Sequence, residues 1–494
     1  MRNPFRDDIR DPAVQRRLVL GQDKRLLDEA RIVAEKTPKA LLVGGFVRDA
    51  LLGLQSKDAD LEVYGISAED LEQTLERLFS GRVVAVGRAF GVFKVRMEGG
   101  LGLDVAIPRR ESKSGKGHRG FVVTGDPDMS AEEAARRRDF TVNAIAADPI
   151  TGEITDPFDG IADLDIGILR VTDPKTFQDD PLRVYRAAQF AARFEFTVEP
   201  ETFELMSEMV GRGDLEELSK ERVTEEIKKL LLLAETPSIG FGLLRDLGVI
   251  SRDYPELQAL IGLEQDAEWH PEGDVWTHTM SVLDSAAAIV RQSSFSEDET
   301  LRVMLGALCH DLGKAGTTAP VSGRVRSLGH EEAGVDTARS LCGRWTFPKE
   351  AVDAAVAIAK EHLAPMQLWR AKQKGELDEK SYLNAVRRVL KRITPLSWRV
   401  YLAAVEADWR GRGTEDASRE MFPPGEAFIN AAKTVESAGN VAEPLLHGRD
   451  LAKLGIKPGP EMGEWIRRVE EARDRGEIET REEASGFVRE ALRR

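Results

Sequence analysis

Gly44-Gly45-Phe46-Val47-Arg48-Asp49, followed by Asp58-Ala59-Asp60, decides the fold of the first part of this chain. The apolar run Leu41–Val43 before it predicts a buried strand, and the paired glycines predict a tight turn into a short helix. Backbone N–H groups in such a turn can approach a phosphate closely, because glycine has no Cβ. On a strand, Asp58 and Asp60 would point to one face of the sheet. A D-x-D pair alone is most often a solvated turn, but beside the glycine turn it indicates a two-metal site for phosphoryl transfer.

Length and composition limit the kind of protein this is. The 494 residues are too many for one hydrophobic core and predict about two to four domains. A formal net charge of −15 excludes a chain coated in basic patches, so any nucleic-acid contact must be local. Cys309 and Cys342 form no C-x-x-C pair, which predicts a reducing, cytoplasmic compartment. We expect neither a signal peptide nor a membrane span, because no apolar stretch is long enough for either.

The pattern along the chain predicts an α/β head followed by an all-α body. Short β-rich runs, of which Asn143–Ala147 is the last, alternate in the head with one clear helix, Ala68–Phe79, and strand signals fade from Asp180 onward. We expect five segments: an N-terminal extension at 1–37, a head at 38–165, a helical neck at 166–260, a histidine-bearing helical block at 261–435 and a helical tail at 436–494.

Further charged residues of the head extend the predicted site. Asp104 lies in an alternating run, 101–107, and predicts a third carboxylate on a neighbouring strand, unless it is an edge-strand aspartate facing solvent. Carboxylates, phosphates and water are the ligands that Mg²⁺ prefers. Arg138 and Asp139 could hold a nucleotide phosphate or sugar. The loop that follows Asp104 indicates a polyanionic partner, or else a solvated charged loop, through Arg109, Arg110, Lys113, Lys116 and Arg119.

Asp180 and Arg183 have two readings. Asp180 and Pro181 suit the N-cap and first position of a helix, which is the better reading locally. Alternatively, the carboxylate accepts from the exocyclic amine of cytosine or adenine, and the guanidinium donates to the ring acceptor beside it. Uracil and guanine present a carbonyl there, and a buried unmatched acceptor costs about 1–3 kcal/mol. Such a pair would select C and A without a template.

Taken in order, these motifs resemble those of bacterial CCA-adding enzymes, tRNA nucleotidyltransferases of the class II polymerase-β superfamily. The resemblance covers about residues 38–240 and rests on 44–49 with 58–60, 137–139, 156–160, 179–183 and 219–222. It implies a nucleotidyltransferase head with a mixed sheet, in which Asp58 and Asp60 bind the catalytic Mg²⁺ ions with support from Asp104. Asp179 departs from the family, which usually has glutamate there. The predicted nucleotide contacts are Gly44, Gly45, Arg48, Arg138, Asp139, Asn143, Asp180, Arg183 and Arg186.

Five of the seven histidines lie between His270 and His362. One histidine on an apolar helix face is more often a satisfied core residue than a ligand, but a series spread over several helices indicates a divalent metal site. The motifs at 274–278 and 309–314 resemble the HD phosphohydrolase domain. We expect His270 in a turn and Cys309 buried and inert. The resemblance implies that the core metal ligands are His278, His310, Asp311 and Asp408. It also implies a second metal position, or a phosphate-binding position, at His330 and His362.

The sequence therefore predicts an enzyme that adds C, C and A to the tRNA 3′ end from CTP and ATP. By the same resemblance, the HD domain would hydrolyse 2′,3′-cyclic phosphates or phosphomonoesters with a divalent metal of unknown identity. No membrane or protein partner is predicted. The alternatives are an enzyme adding only the terminal A, a poly(A) polymerase, and an HD phosphohydrolase whose head merely binds RNA. The acidic balance and the histidine block disfavour the second, and the head carboxylates disfavour the third. The basic loop disfavours a CC-only enzyme.

Overall fold

The computed structural model describes residues 9–493, except 88–90, 114–120, 416–420, 438–444, 458, 475, 476 and 479. The chain forms two compact units, Met1–Tyr254 and Pro255–Arg494. The five segments predicted from the sequence are a finer division, and their boundaries stay predictions. Among the described helices, none combines the length and the apolar character that a bilayer crossing requires.

The first unit begins with two helices and continues into the α/β head. Aspartates cap both N-terminal helices: Asp11 accepts from the backbone N–H of Ala13, and Asp23 accepts from that of Arg25. The elements up to the end of the head are α1 (Pro12–Leu20), α2 (Lys24–Ala34), β1 (Lys39–Val43), α3 (Gly45–Leu51), β2 (Asp58–Tyr64), α4 (Ala68–Leu78), β3 (Val83–Gly87), β4 (Val92–Arg96), β5 (Gly102–Ala106), β6 (Arg109–Lys113), β7 (Phe121–Gly125), α5 (Ala131–Arg136), β8 (Ala146–Ala147) and β9 (Ile154–Thr155).

Seven strands form one mixed sheet in the order β3-β4-β5-β2-β1-β8-β9. β2 and β5 are parallel to each other, whereas the other neighbouring pairs are antiparallel. This confirms the predicted α/β head with a mixed sheet. β6 and β7 pair separately as a hairpin that contains the first part of the predicted basic loop. Lys116 and Arg119 of that loop lie outside the described residues.

The glycine turn forms where the sequence predicts it. Ala40–Val43 of β1 are buried. Gly44 ends the strand with φ +69° and ψ −135°, a conformation that a residue with a Cβ rarely adopts. α3 begins immediately, at Gly45, and buries Arg48 and Asp49 together with its apolar residues. The turn therefore delivers two charged side chains into the interior of the first unit.

Helices follow the head in the first unit, with two short strands that pair in parallel. The predicted strand Asn143–Ala147 is wrong except for its last two residues, because Thr141–Asn143 form a 3₁₀ turn. The predicted helix start at Pro181 is also wrong, because Pro181 and Leu182 form a turn and the helix begins at Arg183. These elements are α6 (Gly160–Ile166), β10 (Ile168–Leu169), α7 (Pro174–Phe177), α8 (Arg183–Phe194), β11 (Thr197–Val198), α9 (Pro200–Arg212), α10 (Lys220–Leu233), α11 (Pro237–Asp246) and α12 (Val249–Asp253).

The described part of the second unit is helical apart from one hairpin. Asp274, Ser296 and Ser397 cap three of its long helices, Val275–Arg291, Glu297–Cys309 and Trp398–Gly411, which pack against one another. Its elements are α13 (Pro255–Gln258), α14 (Val275–Arg291), α15 (Glu297–Cys309), α16 (Lys314–Thr317), β12 (Thr318–Val321), β13 (Arg324–Ser327), α17 (His330–Cys342), α18 (Lys349–Glu361), α19 (Ala364–Gln373), α20 (Glu379–Ile393), α21 (Trp398–Gly411), α22 (Pro423–Ser437), α23 (Gly448–Lys453), α24 (Pro460–Asp474) and α25 (Arg481–Arg493).

The hairpin β12–β13 is missing from the sequence prediction. Its two-residue loop, Ser322-Gly323, has φ of +52° and +80°, as the tightest hairpin turns require. The Ser-Gly pair between two short alternating runs is the signal that could have revealed it. The last three helices, α23–α25, share a hydrophobic cluster built around Leu451, Trp465 and Val488.

Candidate active sites

The three head carboxylates lie together at one edge of the parallel pair β2 and β5. Asp58 and Asp60 are both exposed on one face of β2, while Ala59 between them is buried. Asp104 of β5 is the register partner of Asp60. Gly102 is the partner of Asp58, and a Cβ at Gly102 would lie 2.6 Å from Asp58 Oδ1. The lack of a side chain at this position therefore leaves room for the Asp58 carboxylate.

This carboxylate cluster is poorly compensated by the protein itself. Lys94 Nζ is 3.5 Å from Asp104 Oδ1 and 3.9 Å from Asp58 Oδ1, and Asp104 Oδ1 accepts no hydrogen bond. Removal of water by the surrounding protein raises the pKa of Asp60, and the neighbouring Asp104 and Asp58 add to that rise, although Arg138 opposes it. Carboxylates crowded in this way fit divalent cations, which prefer oxygen ligands.

A cavity of about 400 Å³ in the first unit is lined by the glycine turn and by one of these carboxylates, Asp60. A Cβ at Gly44 would lie 2.9 Å from Arg138 Nη1 and 3.7 Å from Asp60 Oδ2, so the bare backbone of the turn faces both groups. All nine predicted nucleotide contacts line this cavity together with Asp60. Its walls are formed by Gly44, Gly45, Arg48, Asp60, Arg138, Asp139, Asn143, Asp180, Leu182, Arg183, Arg186, Phe190 and Arg222.

Asp139 lines the cavity and is held in place by several hydrogen bonds. Its buried carboxylate accepts hydrogen bonds from Arg186 Nε at 2.8 Å, Asn143 Nδ2 at 2.9 Å and the backbone N–H of Phe140 at 2.9 Å. Burial by itself would raise the pKa of this carboxyl, but Arg186, Asn143 and Arg183 outweigh it and lower the pKa to about 2. Asp139 is therefore ionised at neutral pH and cannot easily turn toward a ligand.

Arg48 continues the same buried network. It donates to Asp49 Oδ1 through Nε at 2.8 Å and Nη2 at 2.6 Å, and through Nη1 to the Asn143 side-chain oxygen. Arg193 of α8 reaches Asp49 Oδ2 at 3.1 Å. The Arg48 guanidinium also lies over the rings of Phe190 and Phe194, at 4.9 and 4.7 Å. The network thus joins α3 of the head to α8.

The structure gives Asp180 an ion-pair partner that the sequence did not predict. Arg222 of α10 donates to both carboxylate oxygens, at 3.0 and 2.8 Å. Arg183 instead donates to the backbone oxygens of Thr176 at 2.8 Å and Arg137 at 2.6 Å. Asp180 also accepts from the backbone N–H of Leu182 at 3.2 Å, so part of its expected capping role is kept.

In the sequence, 219–222 is one of the motifs that carry the family resemblance, but Arg222 is not among the predicted site residues. Ser219 does cap α10. Arg222, three residues later, lies in the cavity wall as well, and only the tertiary structure pairs it with Asp180. The turn at 156–160 stabilises the start of α6, because Asp156 accepts hydrogen bonds from the backbone N–H groups of Gly160 and Ile161, at 2.8 and 2.9 Å.

The second unit gathers the predicted metal ligands from five helices or their ends. His278 is on α14, His310 and Asp311 follow α15, His330 begins α17, His362 follows α18, and Asp408 is on α21. The histidines and Asp311 are buried. Their ligand atoms form two overlapping trios that share Asp311, namely His278 with His310 and His330 with His362.

The imidazole nitrogens of this cluster face each other at short distances. His278 Nε2 is 3.3 Å from His310 Nε2, and His330 Nε2 is 3.2 Å from His362 Nε2. Asp311 Oδ2 is 3.2 Å from His310 Nε2, while its Oδ1 is 3.3 Å from His330 Nε2. Asp408 Oδ1 is 3.2 Å from His278 Nε2. Asp311 therefore stands between the two histidine pairs.

Backbone carbonyls decide which nitrogen of each ring is bare. Nδ1 of His310, His330 and His362 lies 2.7–2.8 Å from the oxygens of Ala307, Ser327 and Ala359, which can only accept, so Nδ1 carries the proton. Where two facing rings are neutral, their Nε2 atoms present lone pairs to one another, and a proton or a metal ion between them removes the repulsion. A backbone oxygen that accepts from the other ring nitrogen is the usual outer support of a metal-ligating imidazole.

The titration of the cluster agrees with a cation site. Burial opposes charge on His310, but Asp311 and Asp408 outweigh it and raise the pKa of that imidazole. Burial lowers the pKa of His362 to about 4, so this ring is neutral at pH 7. Lys314 Nζ lies 2.7 Å from Asp311 Oδ2, yet neither oxygen of Asp311 has a donor in hydrogen-bonding alignment.

Sequence reasoning did not include Glu272 or His270 in this site. Glu272 Oε1 lies 2.8 Å from His278 Nδ1 and 2.9 Å from His270 Nδ1, and Glu272 also accepts from the backbone N–H of Gly413. His270 does lie in a turn, as expected, but its ring also contacts that of His278, at 4.6 Å between centroids. The signal was present in the H-x-E spacing of 270–272. Cys309 is buried, with its Sγ 4.0 Å from that of Cys342.

Three family models match the chain. They are the poly A polymerase head domain at residues 40–170, the "Probable RNA and SrmB- binding site of polymerase A" at 195–261, and the HD domain at 275–392. The Multifunctional CCA protein of Methylobacillus flagellatus is 40% identical over 404 residues, covering 81% of this chain and 90% of the relative. That of Stenotrophomonas maltophilia strain K279a is 38% identical over 432 residues, covering 87% and 97%.

Solved structures of CCA-adding enzymes share the fold. The Bacillus stearothermophilus enzyme in complex with CTP has a TM-score of 0.62 at 22% identity, over 94% of this chain and 96% of that one. The Thermotoga maritima enzyme complexed with tRNA has a TM-score of 0.56 at 19% identity, over 98% and 99%.

The buried network predicts a pH-dependent effect of Asp139→Asn. At pH 7 the substitution removes the closest carboxylate of Arg186 and leaves Glu226 at 3.9 Å, so it should lower the free energy of unfolding by roughly 3 kcal/mol. Because the pKa of Asp139 is depressed to about 2, the stability it supplies is complete above its unfolded value near 3.8 and is lost as the pH falls toward 2. The difference in unfolding midpoint between wild type and variant, measured by thermal scans, should narrow from pH 4 to pH 2.

The exposed Asp128 provides the matched control. Asp128→Asn should leave the midpoint nearly unchanged at every pH. A deficit of Asp139→Asn that stays constant down to pH 2 would mean that the Asp139–Arg186 pair is not its cause.

Proposed function

The chain belongs to the family of multifunctional CCA proteins, and on this premise we propose that it adds C, C and A to the 3′ end of tRNA from CTP and ATP, without a nucleic-acid template. One observation carries the proposal. The head cavity brings the bare glycine turn, Asp60 of the carboxylate cluster and the Asp180–Arg222 pair together within about 400 Å³. A triphosphate, its metal ions and its base each have a fitting surface there.

Asp58, Asp60 and Asp104 would hold the metal ions, which we propose to be Mg²⁺. Bound there, two such ions supply Lewis-acid activation of the tRNA 3′-hydroxyl and neutralise charge on the leaving pyrophosphate. The register pairing of Asp60 with Asp104 and the absence of a hydrogen-bond donor to Asp104 Oδ1 support this assignment, since they leave carboxylate oxygens side by side and open to a cation. The backbone at Gly44 and the guanidinium of Arg138 are placed to contact the phosphates.

Base selection is assigned to Asp180. Arg222 holds both of its oxygens from one side, which orients the carboxylate while leaving further lone pairs for an exocyclic amine. Arg183 lines the same cavity but donates to backbone oxygens, so a role in reading the base requires it to exchange those bonds. The hydrogen bond from Arg186 to Asp139 fixes both side chains in the cavity wall.

For the second unit we propose a divalent-metal phosphohydrolase acting on 2′,3′-cyclic phosphates or phosphomonoesters. The two facing histidine pairs with Asp311 between them fit a pair of metal ions, whose identity is open. Asp408 completes the first position, and Lys314 is placed to contact a phosphate oxygen. When bound, the ions would supply an activated water and polarise the phosphoryl group.

The domain assignment follows the predicted boundaries. We propose that 38–165 is the nucleotidyltransferase head, 166–260 the neck for nucleotide selection and RNA binding, and 261–435 the HD phosphohydrolase domain, flanked by the extension at 1–37 and the tail at 436–494. A cytoplasmic location is consistent with Cys309 and Cys342, which are free thiols and form no disulfide although their sulfurs are 4.0 Å apart.

The first test is nucleotide addition by wild type and by Asp60→Ala. With tRNA lacking CCA, wild type should incorporate labelled CTP, and with tRNA ending in CC it should incorporate ATP. Asp60→Ala should lose incorporation by a factor of at least about 10³, because the metal ions lose a ligand, while circular dichroism stays unchanged. The exposed Glu69 gives a control variant, Glu69→Ala, that should retain activity.

The same assay separates the alternatives. Incorporation of ATP alone would identify a terminal A-adding enzyme, and long A tails would identify a poly(A) polymerase. Incorporation of neither nucleotide would favour a hydrolase with an RNA-binding head. Retained incorporation by Asp60→Ala would reject the carboxylate assignment.

Asp180→Ala should reduce the discrimination between correct and incorrect nucleotides. Without the carboxylate, UTP and GTP no longer face an unmatched acceptor, so the ratio of kcat/KM for CTP over UTP should fall by about 10- to 100-fold. Arg222→Ala should shift the ratio in the same direction, because it releases the carboxylate. The control is Asp246→Ala, which removes an exposed neck carboxylate paired with Arg245. Unchanged selectivity of Asp180→Ala in single-nucleotide assays would reduce Asp180 to a capping residue.

Asp311→Asn should abolish hydrolysis of nucleoside 2′,3′-cyclic phosphates and lower the bound metal, measured by elemental analysis, while CCA addition persists. Asp408→Asn, at the edge of the cluster, should show the same separation if the first variant folds poorly. Asp60→Ala should show the reverse loss. A variant at Asp311 that keeps both its metal and its hydrolysis would show that the cluster is only a polar core.

A further inference from the structure

The cluster of metal ligands lies in a cavity of about 330 Å³ whose walls carry more than metal ligands. Asp311, His330, His362 and Asp408 line it together with Lys314. This part of the cavity suits a phosphate group and its metal ions. Its volume is at the lower end of the roughly 300–1,000 Å³ of small-ligand pockets, and is sufficient for about one nucleotide.

The same cavity has an aromatic and cationic wall that the phosphate chemistry does not use. Trp269 is 42% exposed, and the Arg370 guanidinium lies over its ring at 4.7 Å from the centroid. Both residues line the cavity. Trp269 and the neighbouring apolar side chains of the cavity form one patch, and an apolar patch at a pocket with polar groups beside it is typical of a ligand-binding site.

Local structure keeps this wall beside the metal ligands. Trp269 directly precedes His270, whose ring contacts that of the ligand His278. Arg370 lies on α19 at helical spacing from Met366 and Leu363, so these three residues form one stripe that faces the cavity. Leu328, which is 65% exposed, contributes another apolar side chain two residues before His330.

We propose that Trp269 and Arg370 form a base-stacking platform beside the metal cluster and thereby determine the preference of the phosphohydrolase site for cyclic phosphates that carry a base. Nucleobases stack on tryptophan and arginine planes alike, irrespective of sequence. The inference rests on the proposed phosphohydrolase function and deepens it, because it makes the site selective for nucleotides over phosphate esters that lack a base.

The test compares adenosine 2′,3′-cyclic phosphate with glycerol 1,2-cyclic phosphate, which has the same reacting ring without a base. Trp269→Ala in the full chain should raise KM for the adenosine substrate by about 10- to 100-fold, the range expected for one lost stacking contact, with kcat changed much less. Trp269→Phe should restore KM to within about threefold. Neither variant should alter KM for the glycerol substrate.

Binding measurements keep this inference separate from the activity itself. Calorimetric titration with adenosine 2′-phosphate should show a matching loss of affinity in Trp269→Ala, whereas CTP binding by the head should be unchanged. If wild type hydrolyses neither substrate, the proposed hydrolase function fails, and the adenosine 2′-phosphate titration still decides the platform. An equal effect of Trp269→Ala on both substrates, or no effect on the adenosine ligands, would overturn the platform.

Discussion

A chain of buried charges holds the nucleotide cavity of the first unit in place. It runs from Arg193 through Asp49 and Arg48 to Asn143, Asp139 and Arg186, and joins the head to α8 at both ends. Buried charged groups are stable only when each has a partner of opposite charge or a hydrogen-bond partner. Removing one member of the network therefore leaves its neighbours buried and unpaired, which destabilises the fold. Ligand-facing groups such as Arg138 and Asp180 can therefore be held at fixed positions around the cavity.

The second unit solves a similar problem in another way. Its histidines are fixed through Nδ1 by backbone oxygens and by Glu272, so their Nε2 lone pairs converge on one another and on Asp311. Lys314 supplies part of the missing positive charge. The negative charge that Lys314 leaves uncompensated favours a bound cation, so this cluster fits a metal site. The buried charges of the head, by contrast, compensate one another and have a structural role.

The two proposed phosphate sites differ in the ligands they offer. The head presents carboxylate oxygens at an open sheet edge, which suits Mg²⁺. The helical unit presents mixed imidazole and carboxylate ligands in a buried cluster, which suits a transition metal. The chain thus combines a polymerase-type head domain and an HD domain that offer two different ligand sets.

The sequence alone determined the order of elements around Gly44 and the side-by-side placement of Asp58 and Asp60. These follow from local rules: the Cβ restriction at a left-handed turn and the two-residue period of a strand. The grouping of His278, His310 and Asp311 came from the family resemblance and not from a local rule. Only the tertiary structure decided that Asp180 pairs with Arg222, that Glu272 lies against His278, and that Trp269 and Arg370 share a wall with the predicted metal ligands. These contacts join residues that are far apart in the chain or on opposite sides of a turn. Their distances depend on how helices pack, and no periodicity in the sequence encodes that packing.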